Sequence, residues 1–494
     1  MVTTVPTDLA IRDVRILDGS GSPAVEGDVE VDGGRIASVG GKAGPARTVI
    51  DGGGAVLAPG FVDTHTHDDG ALLAHPGLEF KLAQGCTSLV IGNCGFSAIP
   101  GVEGQAPAGG LFGRMQIDWE DLDGFRLAVE ARRPACNSMA LIGHNAMRTA
   151  ALGTERRAPS EPELDRMREW VRRAMEQGAA GLSTGLIYVP GRYSTTEEIT
   201  ALASELGPFA GLYATHMRNE GDRLLESVAE TLRIGADAGV AVHISHHKAA
   251  GAANWGRVPD SLAAVDAANA GGADVTLDVY PYTAGSGRMI EYFDLNRIDP
   301  VLAESIRLAS CPAFPELEGR MVTDIAAERG TEPAEVVRMI LTAPDGDRTI
   351  SIQYAMTESD IEANLRHPLV MIGSDGIPDL RGRPHPRLFG TFPRVLGEYV
   401  RERQVLSLEE AVRRMTSLSC ARFGLAERGL VKEGWWADLV LFDPDTITDT
   451  ATYEDPKREP VGVELVVVNG EVAYERGRHT GVGAGRLLRY REAA

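Results

Sequence analysis

His65 and His67 stand two residues apart in the run Phe61-Val62-Asp63-Thr64-His65-Thr66-His67, just after an apolar pair and just before Asp68-Asp69-Gly70. In an extended chain residues i and i+2 point the same way, so both imidazoles share a face, with Asp63 one step behind. A lone histidine there would read as a core or surface residue. Two on one face at a strand end read as paired metal ligands, and a metal so held polarises carbonyls and acidifies water. More donors follow other strand-like runs: Cys94, His144, His216, His246 and Asp375. Imidazoles, a thiolate candidate and a carboxylate together form what zinc coordination requires.

These donors need a scaffold that brings distant segments to one place. Strand-like runs lie at 61–65, 86–93, 138–143, 180–186, 212–216, 240–245, 274–280 and 370–374, with helical patterns between them, for example at 161–177 and 221–238. In the first helix Glu161, Asp165 and Glu169 form a charged face, while Leu164, Met167, Val171 and Met175 recur near helical spacing. Eight strands alternating with helices predict an α/β fold, a (β/α)8 TIM barrel, with a doubly wound sheet as the runner-up. In a barrel the chemistry gathers at the C-terminal strand ends, where the donors fall.

The barrel is expected over 61–418, with an inserted subdomain or lid at about 285–368, a stretch longer than an ordinary crossover. Residues 1–60 hold short strands, including a hairpin bent at Asp32-Gly33-Gly34. Too small to bury a core alone, they are completed by the strand-like runs 437–443, 463–470 and 471–474, where Asn469-Gly470 is a hairpin signal. The expectation is one β-sandwich built from both termini, 1–60 and 419–494.

Composition narrows the partners. The 494-residue chain carries 49 basic and 70 acidic side chains, a net charge of -21, which argues against nucleic acid or an anionic membrane surface. No apolar run reaches the roughly 18 residues of a membrane span. Five scattered cysteines (Cys86, Cys94, Cys136, Cys311, Cys420) are not a disulfide framework. The N-terminal run lacks a basic start followed by an apolar segment, so the expected location is cytoplasmic. The expected partner is a small molecule, bound by a monomer or small homo-oligomer.

Specific runs resemble the D-aminoacylase (N-acyl-D-amino-acid deacylase) family of the amidohydrolase superfamily over nearly the whole chain. They are Gly60–His67, Gly92-Asn93-Cys94-Gly95-Phe96, Gly181–Tyr188 with Pro190-Gly191, Thr215–Glu220, Ile244–Lys248, Val279–Ser286, Gly373–Gly376, His385-Pro386-Arg387 and Gly390–Arg394, with Ala437-Asp438-Leu439 and Val468-Asn469-Gly470 at the end. The resemblance implies zinc hydrolysis of an amide. It matches a tight metal site to Cys94, His216 and His246, and a second, weaker one to His65, His67 and Asp375. The superfamily's bridging lysine is missing from Gly181-Leu182-Ser183-Thr184-Gly185, and the cysteine serves instead; one zinc or two stays open. Among neighbouring histidines His246 is preferred, because His243 sits nearer mid-strand and His247 faces away.

The resemblance also implies roles around the metal. Asp375 takes a proton from the attacking water and delivers one to the departing amine. Lys248, Tyr282 and Arg387 are the expected readers of a substrate α-carboxylate, and Tyr188 an orienter of the acyl oxygen. Gly285-Ser286-Gly287-Arg288-Met289 departs from the family's usual run, so Arg288, or Arg297 beyond it, is a candidate reader of an acidic side chain. The expected activity is hydrolysis of N-acyl-D-amino acids. The alternatives are another amide (an L-configured N-acyl amino acid, a cyclic amide or a urea-type substrate), deamination, and a non-catalytic structural role.

Overall fold

The computed structural model describes residues 6–101 and 117–492; residues 1–5, which carry part of the reading of the N-terminus, lie outside the described residues. Eight strands form the central sheet: Phe61–Asp63, Cys86–Ile91, Asn137–Gly143, Gly181–Gly185, Leu212–His216, Ala241–Ile244, Val275–Val279 and Val370–Ile372. They neighbour one another in chain order and pair in parallel throughout. The eighth returns to the first: Asp375 N donates to His65 O at 2.8 Å, and Thr66 bridges Gly376 in parallel. The sheet is a nearly closed (β/α)8 barrel. Its strands are buried on both faces, every residue of Cys86–Ile91 for instance, because helices cover the outside and side chains fill the inside.

The helices begin and end where local chemistry dictates. Glu161–Glu176 opens with a capping box between Ser160 and Glu163 and a proline in its first turn, and buries Met167, Val171, Ala174 and Met175. The helix expected from 221 starts instead at Leu224. Asn219 Oδ1 accepts from the N–H groups of Gly221 and Arg223 and holds them in a turn. Gly239, at a φ of 67°, ends that helix.

Both chain ends meet in a nine-stranded mixed sheet. Thr7–Ile16 pairs with Val25–Asp32 and with Val56–Pro59, and the latter pairs antiparallel with Leu439–Phe442 near the C-terminus. Leu9, Ile11, Val29 and Leu57 pack there with Leu439, Leu465 and Val467. Between the seventh and eighth barrel strands the chain leaves for a three-stranded sheet, Ala284–Arg288, Ile350–Tyr354 and Ile306–Ser310, which has its own apolar core around Val322, Ile325, Val337 and Ile340. The excursion ends earlier than 368: the helix Glu358–Arg366 already buries Ile361 and Leu365 in the barrel's own cluster. Among the described residues no helix is long and apolar enough to cross a membrane.

Candidate metal centre

The site forms where barrel strands stop. His216 ends the fifth strand, His246 lies two residues past the sixth, and Asp375 three past the eighth. Cys94, His246 and Asp375 have φ of 55°, 35° and 49°, in the left-handed region that side chains other than glycine rarely adopt. Such backbone costs on the order of 1–3 kcal/mol per residue and persists only where surroundings enforce it. At His246 the enforcing contact is its own N–H, which donates to Asp278 Oδ1 at 2.7 Å.

Cys94 Sγ is the hub. It lies 3.3 Å from His65 Nε2, 3.3 Å from His246 Nε2 and 3.8 Å from His216 Nδ1. Asp375 Oδ1 is 3.2 Å from His67 Nε2 and 3.6 Å from His65 Nε2. The structure thus places His65 between the two sets that the sequence suggests, as close to Cys94 as His246 is. His65–Cys94–His246 and His65–His67–Asp375 each have donor atoms within 4.8 Å of one another, all from buried residues. A tetrahedral zinc, with Zn–S about 2.3 Å and Zn–N about 2.0–2.1 Å, spaces its donors roughly 3.5 Å apart. Separations of 3.3–3.8 Å around the sulfur fit that group. His67 Nδ1 and His216 Nε2 are buried without a hydrogen-bond partner.

The charges suit a cation. Burial pushes the Cys94 thiol up, but His65 and His246 beside it hold it well below the usual thiol range. Burial likewise raises Asp375, and the Arg387 guanidinium and His67 more than offset this, leaving it well below the carboxylate range. Burial pushes His67 down, yet its contacts with Asp375 and Cys94 raise it to about 9. A thiolate and a carboxylate held ionised among imidazoles is the pattern that a divalent metal neutralises.

Behind the donors stand groups that orient them, and sequence reasoning missed these. Asp278 Oδ2 lies 3.4 Å from His65 Nδ1 and 2.7 Å from His243 Nε2. Glu220 lies 3.0 Å from His246 Nδ1 and 3.4 Å from His216 Nε2. Fully buried Lys81 reaches Asp63 at 2.7 Å, Asp68 at 3.2 Å and Ser374 Oγ at 3.0 Å, tying the first strand to the residue before Asp375. Its one sequence signal is a lysine inside the apolar stretch Leu78–Ala83.

A small cavity beside the donors is lined by His67, Cys94, Phe96, Tyr188, Arg288 and Asp375 among others, with about 10 Å³ of free volume. The Tyr188 hydroxyl lies 3.2 Å from His216 Nδ1. Arg387 is fully buried, with Nη2 2.9 Å from Asp375 Oδ2, while its Nε and Nη1 have no partner. Arg288 lines the cavity, 3.7 Å from Glu291; Arg297 is exposed on the insert.

Three other candidate residues have partners within the protein. His144 Nε2 lies 2.9 Å from Glu198 among the outer helices, not among the donors. Tyr282 points to Asp449 at 3.5 Å and packs on His385, because a turn at Pro281 sends Tyr280 and Tyr282 to different neighbours. It is Tyr280 whose ring lies 4.4 Å under Arg387 and whose buried hydroxyl is unpartnered. Lys248 Nζ lies 2.7 Å from both Glu220 oxygens, 2.8 Å from His246 O and 2.8 Å from His246 Nδ1, beside the donor cluster. Of the neighbouring histidines, His243 faces Asp278 and Thr276, and His247 faces Asn364 and Ser261.

Known proteins resemble this chain over nearly its whole length. Residues 48–474 match the amidohydrolase family. A D-aminoacylase of Alcaligenes xylosoxydans xylosoxydans is 42% identical over 491 residues, 98% of each chain. An N-acyl-D-glutamate deacylase of the same organism is 41% identical over 94% of this chain and 93% of its own. The solved structure of the N-acyl-D-glutamate deacylase of Bordetella bronchiseptica, complexed with zinc and a phosphonate mimic of the tetrahedral intermediate, superposes with a TM-score of 0.91 at 39% identity, covering 98% of this chain and 100% of that one. The chain belongs to the amidohydrolase family, alongside the D-aminoacylases and N-acyl-D-amino-acid deacylases.

Proposed function

We propose that the protein hydrolyses N-acyl-D-amino acids to a carboxylate and the free D-amino acid, using zinc. The observation that carries this is the buried thiolate–imidazole–carboxylate cluster set against Arg387, a buried guanidinium with two unpartnered donors. In this reading Cys94, His216 and His246 hold the tighter metal, and His65, His67 and Asp375 form a second, weaker site. When bound, zinc supplies Lewis-acid polarisation of an amide carbonyl and acidifies a water. Asp375, kept ionised by Arg387, accepts the proton of the attacking water at its carboxylate and passes a proton to the departing amine.

Arg387 and Tyr280 face the substrate's α-carboxylate, a planar fork beside a phenol. Tyr188 orients the acyl oxygen from beside His216. Because the cavity holds little more than one water, residues 286–291 of the insert must move to admit substrate and then close to exclude solvent. The same proposal takes 61–418 as the catalytic barrel between the two terminal pieces, and a cytoplasmic monomer or small homo-oligomer as the working form.

The cavity beside the donors is lined by both Arg288 and Glu291, so the test must span acidic and apolar substrates. Kinetics across N-acetyl-D-Met, -Leu, -Phe, -Glu and -Asp with their L forms, alongside zinc analysis, check the reading. Turnover of D forms far above L forms is the expected result. Hydrolysis confined to L forms, cyclic amides or ureas, or deamination of aminopyrimidines instead, would replace it.

A further inference from the structure

Arg288 and Glu291 reach the cavity from one short piece of the insert. Arg288 closes the strand Ala284–Arg288, and Glu291 follows three residues later in the turn Met289–Glu291. Arg288 Nη1 lies 3.7 Å from Glu291 Oε1. The Glu291 carboxylate is not a loose surface group: its side chain is 8% exposed. Its Oε2 accepts from the Val189 N–H at 3.2 Å, and its backbone carbonyl accepts from Arg192 Nη2 at 3.2 Å. The other walls of the cavity include Phe96 and Ile377, both buried apolar side chains.

The two guanidiniums near the cavity differ in what they have left to offer. Arg387 keeps both Nε and Nη1 without a partner. In Arg288, Nη1 faces Glu291 and Nη2 donates to Asp347 O at 3.4 Å, so only Nε is unpartnered. We propose that Glu291 is a specificity-determining residue: its carboxylate holds the place at Arg288 that a substrate's side-chain acid would need, so the protein favours N-acyl-D-amino acids with uncharged side chains. An acidic side chain entering here meets a fixed like charge, the repulsive element by which a site rejects a wrong partner. An uncharged one meets Phe96 and Ile377 and sheds no charge hydration. The pair lies within four consecutive residues, so Glu291 travels with Arg288 when the insert moves. The inference rests on the deacylase reading and names the substrate class within it.

The experiment measures kcat/KM of the zinc-loaded, full-length protein on N-acetyl-D-Met, N-acetyl-D-Gln and N-acetyl-D-Glu. Glutamine and glutamate side chains share a shape and differ in charge, so their ratio isolates the charge. Wild type should hydrolyse the D-Met and D-Gln substrates faster than the D-Glu one. Glu291→Gln keeps an oxygen for the Val189 N–H but removes the charge, leaving Arg288 for the acid group. Its D-Glu to D-Gln ratio should rise about 10-fold or more, as relief of a like-charge contact does. Adding Arg288→Met to Glu291→Gln should cancel that rise. A ratio unchanged in Glu291→Gln, or a rise that survives the loss of Arg288, would overturn the proposal. The wild-type ratio carries the test if the variant does not fold, because D-Glu preferred over D-Gln by wild type overturns it equally. Failure of wild type to hydrolyse any N-acyl-D-amino acid would remove the functional reading and this inference together, whereas brisk D-Met turnover with an unmoved ratio removes the inference alone.

Discussion

Two buried polar clusters follow barrel strands in this protein, and in sequence they begin alike, with a histidine at a strand end. After the third strand, His144 meets Glu198 at 2.9 Å, and Glu198 is clasped by Arg148 at 2.7 Å. After the fifth and sixth strands, His216 and His246 meet a cysteine, a further imidazole and, through His65, a carboxylate. The first cluster balances its charge within the protein, one carboxylate against one guanidinium. The second concentrates donor atoms around Cys94, has three donors on left-handed backbone and opens to a cavity. A buried ion cluster that closes on itself is architecture; one whose lone pairs converge, held there by strained backbone, is a site.

The sharpest break in this comparison is expected at Cys94. Cys94→Ala should lose zinc and activity together, whereas His144→Gln should keep full zinc content; elemental analysis of both reads the difference. Asp375→Asn comes next. It retains size and a ligating oxygen but cannot take the proton, so kcat should fall about 10²–10⁴-fold while zinc remains at the Cys94 side. Near-normal turnover of the metal-loaded variant would remove Asp375 from the proton path.

Arg387→Ala should cost about 2–5 kcal/mol in transition-state stabilisation, as the loss of a desolvated charge partner does. It should also abolish the preference for N-acetyl-D-methionine over its amide. Arg387→Lys should restore only part, because an ammonium does not reproduce the fork. An unchanged acid-to-amide ratio in Arg387→Ala would put the anion reader elsewhere, with Arg288 the next candidate.

The smallest effect belongs to the architectural cluster and is read in pH. Burial raises the Glu198 carboxyl, but His144 and Arg148 more than compensate and hold it below its ordinary 4.5. With the folded value depressed, the unfolded chain binds the proton first, so the stabilisation is present above about pH 4.5 and lost as pH falls further. Melting temperatures between pH 7 and 3.5 should therefore drop less steeply in Glu198→Gln than in wild type, with zinc content unaffected at neutral pH.

Much of this could be read from residue types and period. Continuous apolar runs separated by helical patterns gave the barrel, since parallel strands covered on both faces must be apolar throughout. Asp32-Gly33-Gly34 and Asn469-Gly470 marked hairpins because their turns need left-handed backbone, and Gly33 and Asn469 do have φ of 57° and 49°. The donor types at strand ends were equally visible, because metal chemistry restricts them to a few side chains.

What tertiary structure alone decided is direction. The period of two that aims side chains in a strand lapses at the strand's last residue, and past that point the loop's φ and ψ take over. Ala241–Ile244 stops before His246, whose φ of 35° swings it toward Cys94, while its neighbour His247 faces Asn364. The same loss of period sent His144 outward to Glu198 and brought Tyr280, rather than Tyr282, under Arg387. Glu220 and Lys81 act through partners remote in the chain, His246 and Ser374 among them, and only folding makes such pairs neighbours.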